Sequence, residues 1–598
     1  MNRILLYVHF NKFSQVADHV VYQLEQLRPL FSKVVFISNS PVSVENQKRL
    51  KELGLFDVFM QRENKGYDFA AWHDAMVSIG FEELKQYDAV TIMNDTAFGP
   101  VYDFGPVFDK MAQNASVDFW GITNNRSHTV APWGEDIVLP DHIQSYFVTY
   151  KQNVVVSEAF KSFWSGIEVL EDVVKVIVKY ETAMTKHFED AGFKSAVLFD
   201  TRKESWAGMT IHDFSVFALP ELIKREIPFL KIKAFSFGAK AIQTPVVIDM
   251  LRRNSDYPIK LIVDHMTFVD YPDREYMLDE KILQMKEVTR TEKTVRVGIH
   301  LHVFYVDLLA EFLANFDQYI GDYDVFVTTD TEAKKEAIQK VGHPHVKEIV
   351  VAGNKGRDVL PWMMVHDKLA DYDVAGHFHT KKSAVNEWIV GESWRQDIID
   401  SLVKPAKQIL AEFDETKSVG LVIADVPSFF NHWYGPSYIN EHKLWKKMLK
   451  IWQVAGLDKK KALEEKDTYT MSYGTMLWYR PDAISDLLTI DISEETPNEP
   501  LPYDSILHAF ERIIVYAAWA NGYDFRISKI HQSNGFVANS AANRLLRDQG
   551  YEITNYEGLN TSINWEQLGA KRALKYLVKK SLLIALSIPK RIVHFFRK

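Results

Sequence analysis

Two short polar segments in this chain have the residue types and spacing of a ligand cradle, and one of them occurs twice. Asn64-Lys65-Gly66-Tyr67-Asp68-Phe69-Ala70-Ala71-Trp72 returns as Asn354-Lys355-Gly356-Arg357-Asp358-Val359-Leu360-Pro361-Trp362, with five of nine positions identical at an offset of 290. In each copy the glycine permits a positive φ or a close backbone approach, and the aspartate can cap the helix that follows. Asn64 can hydrogen-bond a base or a ribose. A single copy reads equally well as a capped strand-to-helix turn. A second copy that keeps Asn, Lys, Gly and Asp favours ligand contact, through Asn64, Lys65, Gly66 and Asp68 in one half and Asn354 to Asp358 in the other.

The second segment is Val90-Thr91-Ile92-Met93-Asn94-Asp95-Thr96, an apolar run that ends in Asn-Asp. A carboxylate at the carboxyl end of a strand suits a hard divalent cation, Mg2+ or Mn2+, that also holds a diphosphate. Sugar transfer from a nucleotide sugar builds negative charge on the departing diphosphate, which needs a metal ion or fixed cations beside it. Asp95 is the expected metal ligand and Asn94 a substrate contact; a plain turn is the competing reading.

Aligned on Tyr87-Asp88 and Tyr372-Asp373, the later half carries His379 and Thr380 at these places, within Gly376-His377-Phe378-His379-Thr380-Lys381-Lys382-Ser383. On a strand His377 and His379 face the same way. A zinc site would need a third ligand, and none is evident. Anion binding by His377, His379, Lys381 and Lys382 is the more natural expectation, making this half metal-independent; a solvated basic turn is the alternative.

An inverting transfer also needs a carboxylate to take the acceptor's proton. Asp213 and Asp504 are the candidates, each preceding a helical stretch (214–224 and 505–520), although an N-cap aspartate would look the same. No Ser-His-Asp signal, P-loop or GxGxxG fingerprint is present.

The elements that must position these residues repeat as well. Ile4 to His9 is an apolar run ending in His, followed by a helical pattern at 16–27 and a strand at 34–39 that ends on Asn39. Val295 to His302, a helical pattern at 306–316 and a strand at 324–329 follow the same order. Tyr146 to Lys151 resembles Thr475 to Arg480. Strands alternating with helices imply an α/β class with mostly parallel sheets, and ligands bind beyond the carboxyl ends of such strands. His9, Asn39 and His302 fall there. Two related domains are expected, 1–285 and 294–565.

The chain of 598 residues is 47% hydrophobic and 13% aromatic, enough for a sizeable core in each half. A net charge of −9 argues against a nucleic-acid partner. With no cysteine, disulfides and Cys-ligated zinc are excluded. The N-terminus reads as a first strand rather than a signal peptide, and no stretch has the roughly 20 apolar residues of a membrane span. Residues 569–598 hold nine Lys and Arg among Leu, Ile, Val and Phe, with no acidic residue. Such a basic amphipathic helix is expected to lie on an anionic membrane surface, broken at Pro589.

Taken together, NKGYDFAAW, IMNDTAFGPV, His142 to Phe147, NKGRDVLPW, HFHTKKS, Gly391-Glu392-Ser393-Trp394-Arg395 and Tyr473 to Met476 resemble the rhamnan synthesis protein F (RgpF-like) family of bacterial polysaccharide enzymes. The resemblance covers residues 1 to about 560. It implies rhamnosyl transfer from dTDP-L-rhamnose to a lipid-linked glycan, carried on polyprenyl diphosphate, at the cytoplasmic face of the cell membrane. The order of the NKG and MND motifs is also similar to that of family 2 transferases, which implies two tandem GT-A-like domains with Asp95 on the metal.

Overall fold

The computed structural model describes residues 2–12, 14–204, 214–236, 243–284, 295–380, 382, 388–427, 441–466, 469–502 and 504–529, and the single positions 574, 577, 578 and 581. Asp213, Lys381 and all but those four positions of the 569–598 tail lie outside the described residues. The chain divides into two compact units, Met1–Tyr276 and Met277–Lys598.

The first unit is built on seven strands: β1 (Arg3–His9), β2 (Lys33–Ser38), β3 (Val58–Gln61), β4 (Ala89–Asn94), β5 (Phe119–Asn125), β6 (Phe147–Lys151) and β7 (Ser195–Phe199). Their order is β7-β5-β6-β4-β1-β2-β3, with a short His142–Ile143 strand paired to β5. Strands β4, β1, β2 and β3 run parallel. Strand β6 is antiparallel to both its neighbours. Every residue of β1 and β4 is buried, which is why these segments are nearly continuous apolar runs.

The second unit repeats this plan with β8 (Val297–His302), β9 (Asp324–Thr329), β10 (Val346–Val351), β11 (Val374–His379), β12 (Val419–Ala424), β13 (Leu477–Tyr479) and β14 (Asp524–Ser528). The order is β10-β9-β8-β11-β13-β12-β14, strand for strand that of the first unit. The reversed strand recurs too, because β13 is antiparallel to β11 and β12. The duplication read from the motifs is therefore a duplication of topology. Sequence pattern alone did not foresee the antiparallel strand in each mostly parallel sheet.

One boundary moves. Residues 277–284, which the sequence places with the first domain, belong to the second unit. Lys281 Nζ pairs with Asp524 at 2.6 Å, the Leu283 amide donates to the Ile527 carbonyl, and Leu283 enters the second core.

Helix α1 (Tyr67–Ile79) in the first unit and α2 (Val359–Leu369) in the second begin immediately after the NKG loops. Gly66 has φ 71° and Tyr67 φ 53°; Gly356 has φ 79° and Arg357 φ 52°. Consecutive left-handed residues turn the chain sharply from strand to helix, and glycine takes the first such position at no steric cost. A Cβ on Gly66 would lie 2.6 Å from Ala70 Cβ, and one on Gly356 would lie 2.2 Å from Leu360 Cγ. Glycine is thus required twice over at both places, by conformation and by packing.

Candidate functional site

In the first unit the two polar segments meet at the carboxyl ends of β1 and β4. Asn94 Nδ2 donates to Asp68 Oδ2 at 2.7 Å, while Asn94 Oδ1 accepts from the Thr96 amide and hydroxyl. Asp68 was expected as a helix cap. Gly66 holds the cap position instead and Asp68 reaches across to β4. Asp95 Oδ2 accepts from the Phe10 amide at 3.0 Å, and His9 Nε2 stands 4.0 Å from the same oxygen. His9 Nδ1 hydrogen-bonds with Ser38 Oγ at 2.9 Å.

The loop is braced from below. Arg62 donates to Asn39 Oδ1, to the Lys65 carbonyl and to Asp74, and Asn39 Nδ2 donates to the Tyr67 carbonyl. Asn39 is buried and both ends of its amide are engaged, so it shapes the loop rather than offering itself to a ligand. Asn64 and Lys65 are exposed, with Lys65 paired to Glu63 at 2.7 Å.

The electrostatics of this rim are lopsided. Burial pushes Asp95 up to about 8, with the nearby Asp68 adding to the rise. Burial also lifts Asp68 to about 6, with Glu181 contributing, against the Asn94 hydrogen bond and the Arg62 charge. Glu181 in turn accepts from the Ser145 amide and hydroxyl. Burial lowers His9 to about 4, so it brings no compensating positive charge at neutral pH. Asp68 thus raises Asp95, and Glu181 raises Asp68, on top of their burial, and among the described residues Arg62 is the one cation acting on Asp68. A divalent cation fits this deficit. Among the described residues no three His, Asp or Glu side chains are grouped as a complete protein-supplied shell. Mg2+ commonly takes one or two carboxylates and completes its shell with water and phosphate oxygens, so Asp95 alone is a sufficient protein contribution.

The second unit uses the same positions for different chemistry. In the register of β1 with β4, Val8 is paired with Asn94 and Leu6 with Ile92; in that of β8 with β11, His302 is paired with His379 and His300 with His377. His302 therefore takes the place of Val8, one residue before His9, with which the sequence had matched it. Thr380 replaces Asp95: its hydroxyl accepts from the Phe304 and Tyr305 amides as Asp95 accepts from Phe10. No carboxylate stands at this position in the second unit.

Asp358, like Asp68, leaves its helix uncapped and points across to the sheet. It accepts from the Thr475 hydroxyl and hydrogen-bonds with His377 Nε2 at 3.2 Å. His377 Nδ1 meets His300 Nδ1 at 2.8 Å, His300 Nε2 meets Thr328 Oγ1 at 2.8 Å, and His302 Nδ1 meets the same hydroxyl at 2.9 Å. The Trp362 ring stacks on His377 at 4.0 Å. His379 Nε2 donates to the Gly474 carbonyl at 2.8 Å, and the Gly474 amide donates to Glu511. Burial drives Asp358 up, but His379, His377 and the Thr475 hydroxyl outweigh it and hold the carboxyl well below its usual range. Burial lowers His300 and His377, and lowers His302 to about 4.

The remaining sequence candidates lie around this network. Arg357 pairs with Glu499 at 2.8 Å, and Lys382 pairs with Asp307 near the Tyr305 ring. Asn354 and Lys355 are exposed. Asp504 is exposed beside Lys447 at 3.5 Å, and Ser505 rather than Asp504 caps helix α3 (Ile506–Ala520). Sequence reasoning passed over His300, Thr328, Ser145 and Glu181. The paired His-x-His runs, His300-Leu301-His302 and His377-Phe378-His379, were the readable signal for His300.

The family description "rhamnan synthesis protein F" matches residues 34–523. The chain belongs to the rhamnan synthesis protein F family. Among similar proteins, the uncharacterized protein y4gN of Sinorhizobium fredii is 29% identical over 185 residues, 31% of this chain and 45% of that protein. Virulence protein VirA of Vibrio anguillarum is 26% identical over 164 residues, 27% of this chain and 48% of its own length. WxcX of Xanthomonas campestris pv. campestris is 25% identical over 258 residues, 40% of this chain and 34% of that protein. The chain spans about half, or less, of the length of these relatives. Among solved structures, S. aureus TarS aligns at TM-score 0.24 with 15% identity, covering 42% of this chain and 38% of that one. A putative nucleotide-diphospho-sugar transferase from Desulfovibrio desulfuricans G20 aligns at 0.21 with 13% identity, covering 42% and 99%. Likeness at that level is loose; the fold description rests on strand order and register.

Proposed function

We propose that the chain is a glycosyltransferase of bacterial polysaccharide synthesis, built from two GT-A-like units. Its reaction transfers L-rhamnose, with inversion, from dTDP-L-rhamnose to a glycan on polyprenyl diphosphate. The Asn94–Asp68 hydrogen bond supports this most directly, because it joins the NKG and MND motifs into one acidic rim at the strand ends. A Mg2+ or Mn2+ ion bound by Asp95 would supply positive charge to the leaving diphosphate. The chain's own residues shape the rest: Arg62 and Asn39 set the NKG loop, and Asn64 and Lys65 stand exposed beside the rim to meet the nucleotide.

Family membership supports the polysaccharide pathway, and both units act as transferases in this reading. Thr380 in place of Asp95 favours a second reading, in which only the first unit transfers sugar and the second binds the glycan. Among the described residues no helix is long and apolar enough to cross a membrane. Attachment at the cytoplasmic face falls, in this reading, to the basic tail.

The test is transfer from labelled dTDP-L-rhamnose to a polyprenyl-diphosphate glycan by the full chain, by Asp95→Ala, and by a His377→Ala/His379→Ala double variant. Partial loss of transfer in Asp95→Ala, with the second unit still releasing dTDP, and a changed linkage pattern in the histidine variant support two active sites. An unchanged product from the histidine variant leaves the single-site reading, and no transfer by any of them removes the assignment.

A further inference from the structure

Four apolar positions of the first core are polar in the second. By register, Leu6, Val8, Ile37 and Ile92 correspond to His300, His302, Thr328 and His377. Burying three imidazoles and a hydroxyl where an aliphatic core would serve is costly unless every polar atom finds a partner. Here the partners form one chain, and its proton order can be deduced.

Asp358 is a carboxylate with only lone pairs to offer, so His377 Nε2, 3.2 Å away, carries a proton. A neutral imidazole has a single N–H, so His377 Nδ1 accepts and His300 Nδ1 donates to it at 2.8 Å. His300 Nε2 then accepts from the Thr328 hydroxyl. That hydroxyl has spent its only proton, so its oxygen accepts from His302 Nδ1. The chain ends with His302 Nε2 bare. Among the described residues no hydrogen bond occupies this nitrogen, and it belongs to the last residue of β8, at the end of the sheet where ligands of such folds bind. Burial keeps His302 neutral at neutral pH, and the charged or titratable groups acting on it are Asp358, His379, His377 and Asp330. Asp330 is itself paired with Lys334.

We infer that His302 Nε2 is the proton acceptor for the attacking hydroxyl in the second unit, with Thr328, His300, His377 and Asp358 as positioning residues behind it. The inference rests on the transferase reading. In the step, the acceptor O–H bond breaks and its proton goes to His302 Nε2. The freed oxygen electron pair forms the bond to the anomeric carbon. The bond from that carbon to the diphosphate oxygen breaks, and its electron pair leaves with the nucleoside diphosphate. The new positive charge on His302 is spread by hydrogen bonds running toward the Asp358 carboxylate.

Two measurements on the full chain test this. Long-range proton–nitrogen spectra of 15N-histidine-labelled protein at neutral pH should show His302 protonated at Nδ1 and bare at Nε2. Thr328→Val should release it to the Nε2–H form. In an Asp95→Asn background, release of dTDP from dTDP-L-rhamnose should fall about 10²-fold or more in His302→Gln, the lower end of general-base contributions. Thr328→Val should lower it about tenfold, the worth of one hydrogen bond to a charged group, with dTDP affinity unchanged. An Nε2–H tautomer in the unsubstituted chain, or release that ignores His302→Gln, overturns the assignment. Absence of release from the unsubstituted chain instead overturns the transferase reading, and the base role with it.

Discussion

Replacing Asp95 by asparagine should stabilise the first unit at pH 8 and leave it nearly unchanged at pH 4. Burial and the neighbouring Asp68 raise this carboxyl from its ordinary 3.8 to about 8. Between those values the folded chain keeps a proton that the unfolded chain has lost, so stability falls as pH rises through the window. Each pH unit is worth about 1.4 kcal/mol, and a wholly buried group would accumulate about 6 kcal/mol by pH 8. The Asp95 side chain keeps 14% of its exposure, and solvent screening reduces the figure to roughly 2–3 kcal/mol. Asparagine can still accept the Phe10 amide and carries no charge at any pH. For a unit of this size the gain corresponds to roughly 4–10 °C in the first unit's melting temperature. Scanning calorimetry of both proteins at pH 4 and pH 8, in chelator, reads it. An equal shift at both pH values, or a loss at pH 8, would refute the electrostatic reasoning. Mn2+ at pH 8 should raise the melting temperature of the unsubstituted chain and not of the variant.

Gly66→Ala and Gly356→Ala each combine a left-handed φ with a close Cβ contact; each should cost its unit about 2–4 kcal/mol in denaturant titrations. Arg512→Met strands the half-buried Glu441 and Glu511 carboxylates and should destabilise the second unit by about 2–3 kcal/mol; a neutral result would mean those glutamates take up protons at no cost. Truncation after Gly569 should abolish sedimentation with phosphatidylserine-rich vesicles, and unchanged sedimentation removes the membrane role of the tail.

The duplication and the strand-end location of the polar motifs were legible because both are patterns of spacing. Offsets of 290 and 285 between matched motifs became identical strand orders, and Asp95 opposite Thr380 followed from aligning Tyr-Asp pairs. What Asp68 and Asp358 touch was not legible. Local sequence offers a cap at those positions, whereas the left-handed Gly-Tyr and Gly-Arg pairs turn the side chains toward β4 and β11. The His302 match slipped by one residue because an apolar run ending in His fits either alignment; only cross-strand register separates Val8 from His9. The His300–Thr328 contact joins residues 28 apart on different strands, and no periodicity reports a contact of that kind.

The most direct test of the central claim is calorimetric titration of dTDP into the full chain, with Mn2+ and with chelator, repeated on Asp95→Ala. The account predicts a cation-dependent binding event in the unsubstituted chain that chelator and Asp95→Ala each abolish, leaving only the cation-independent binding of the second unit. dTDP binding indifferent to both, or no binding in any arm, would contradict it.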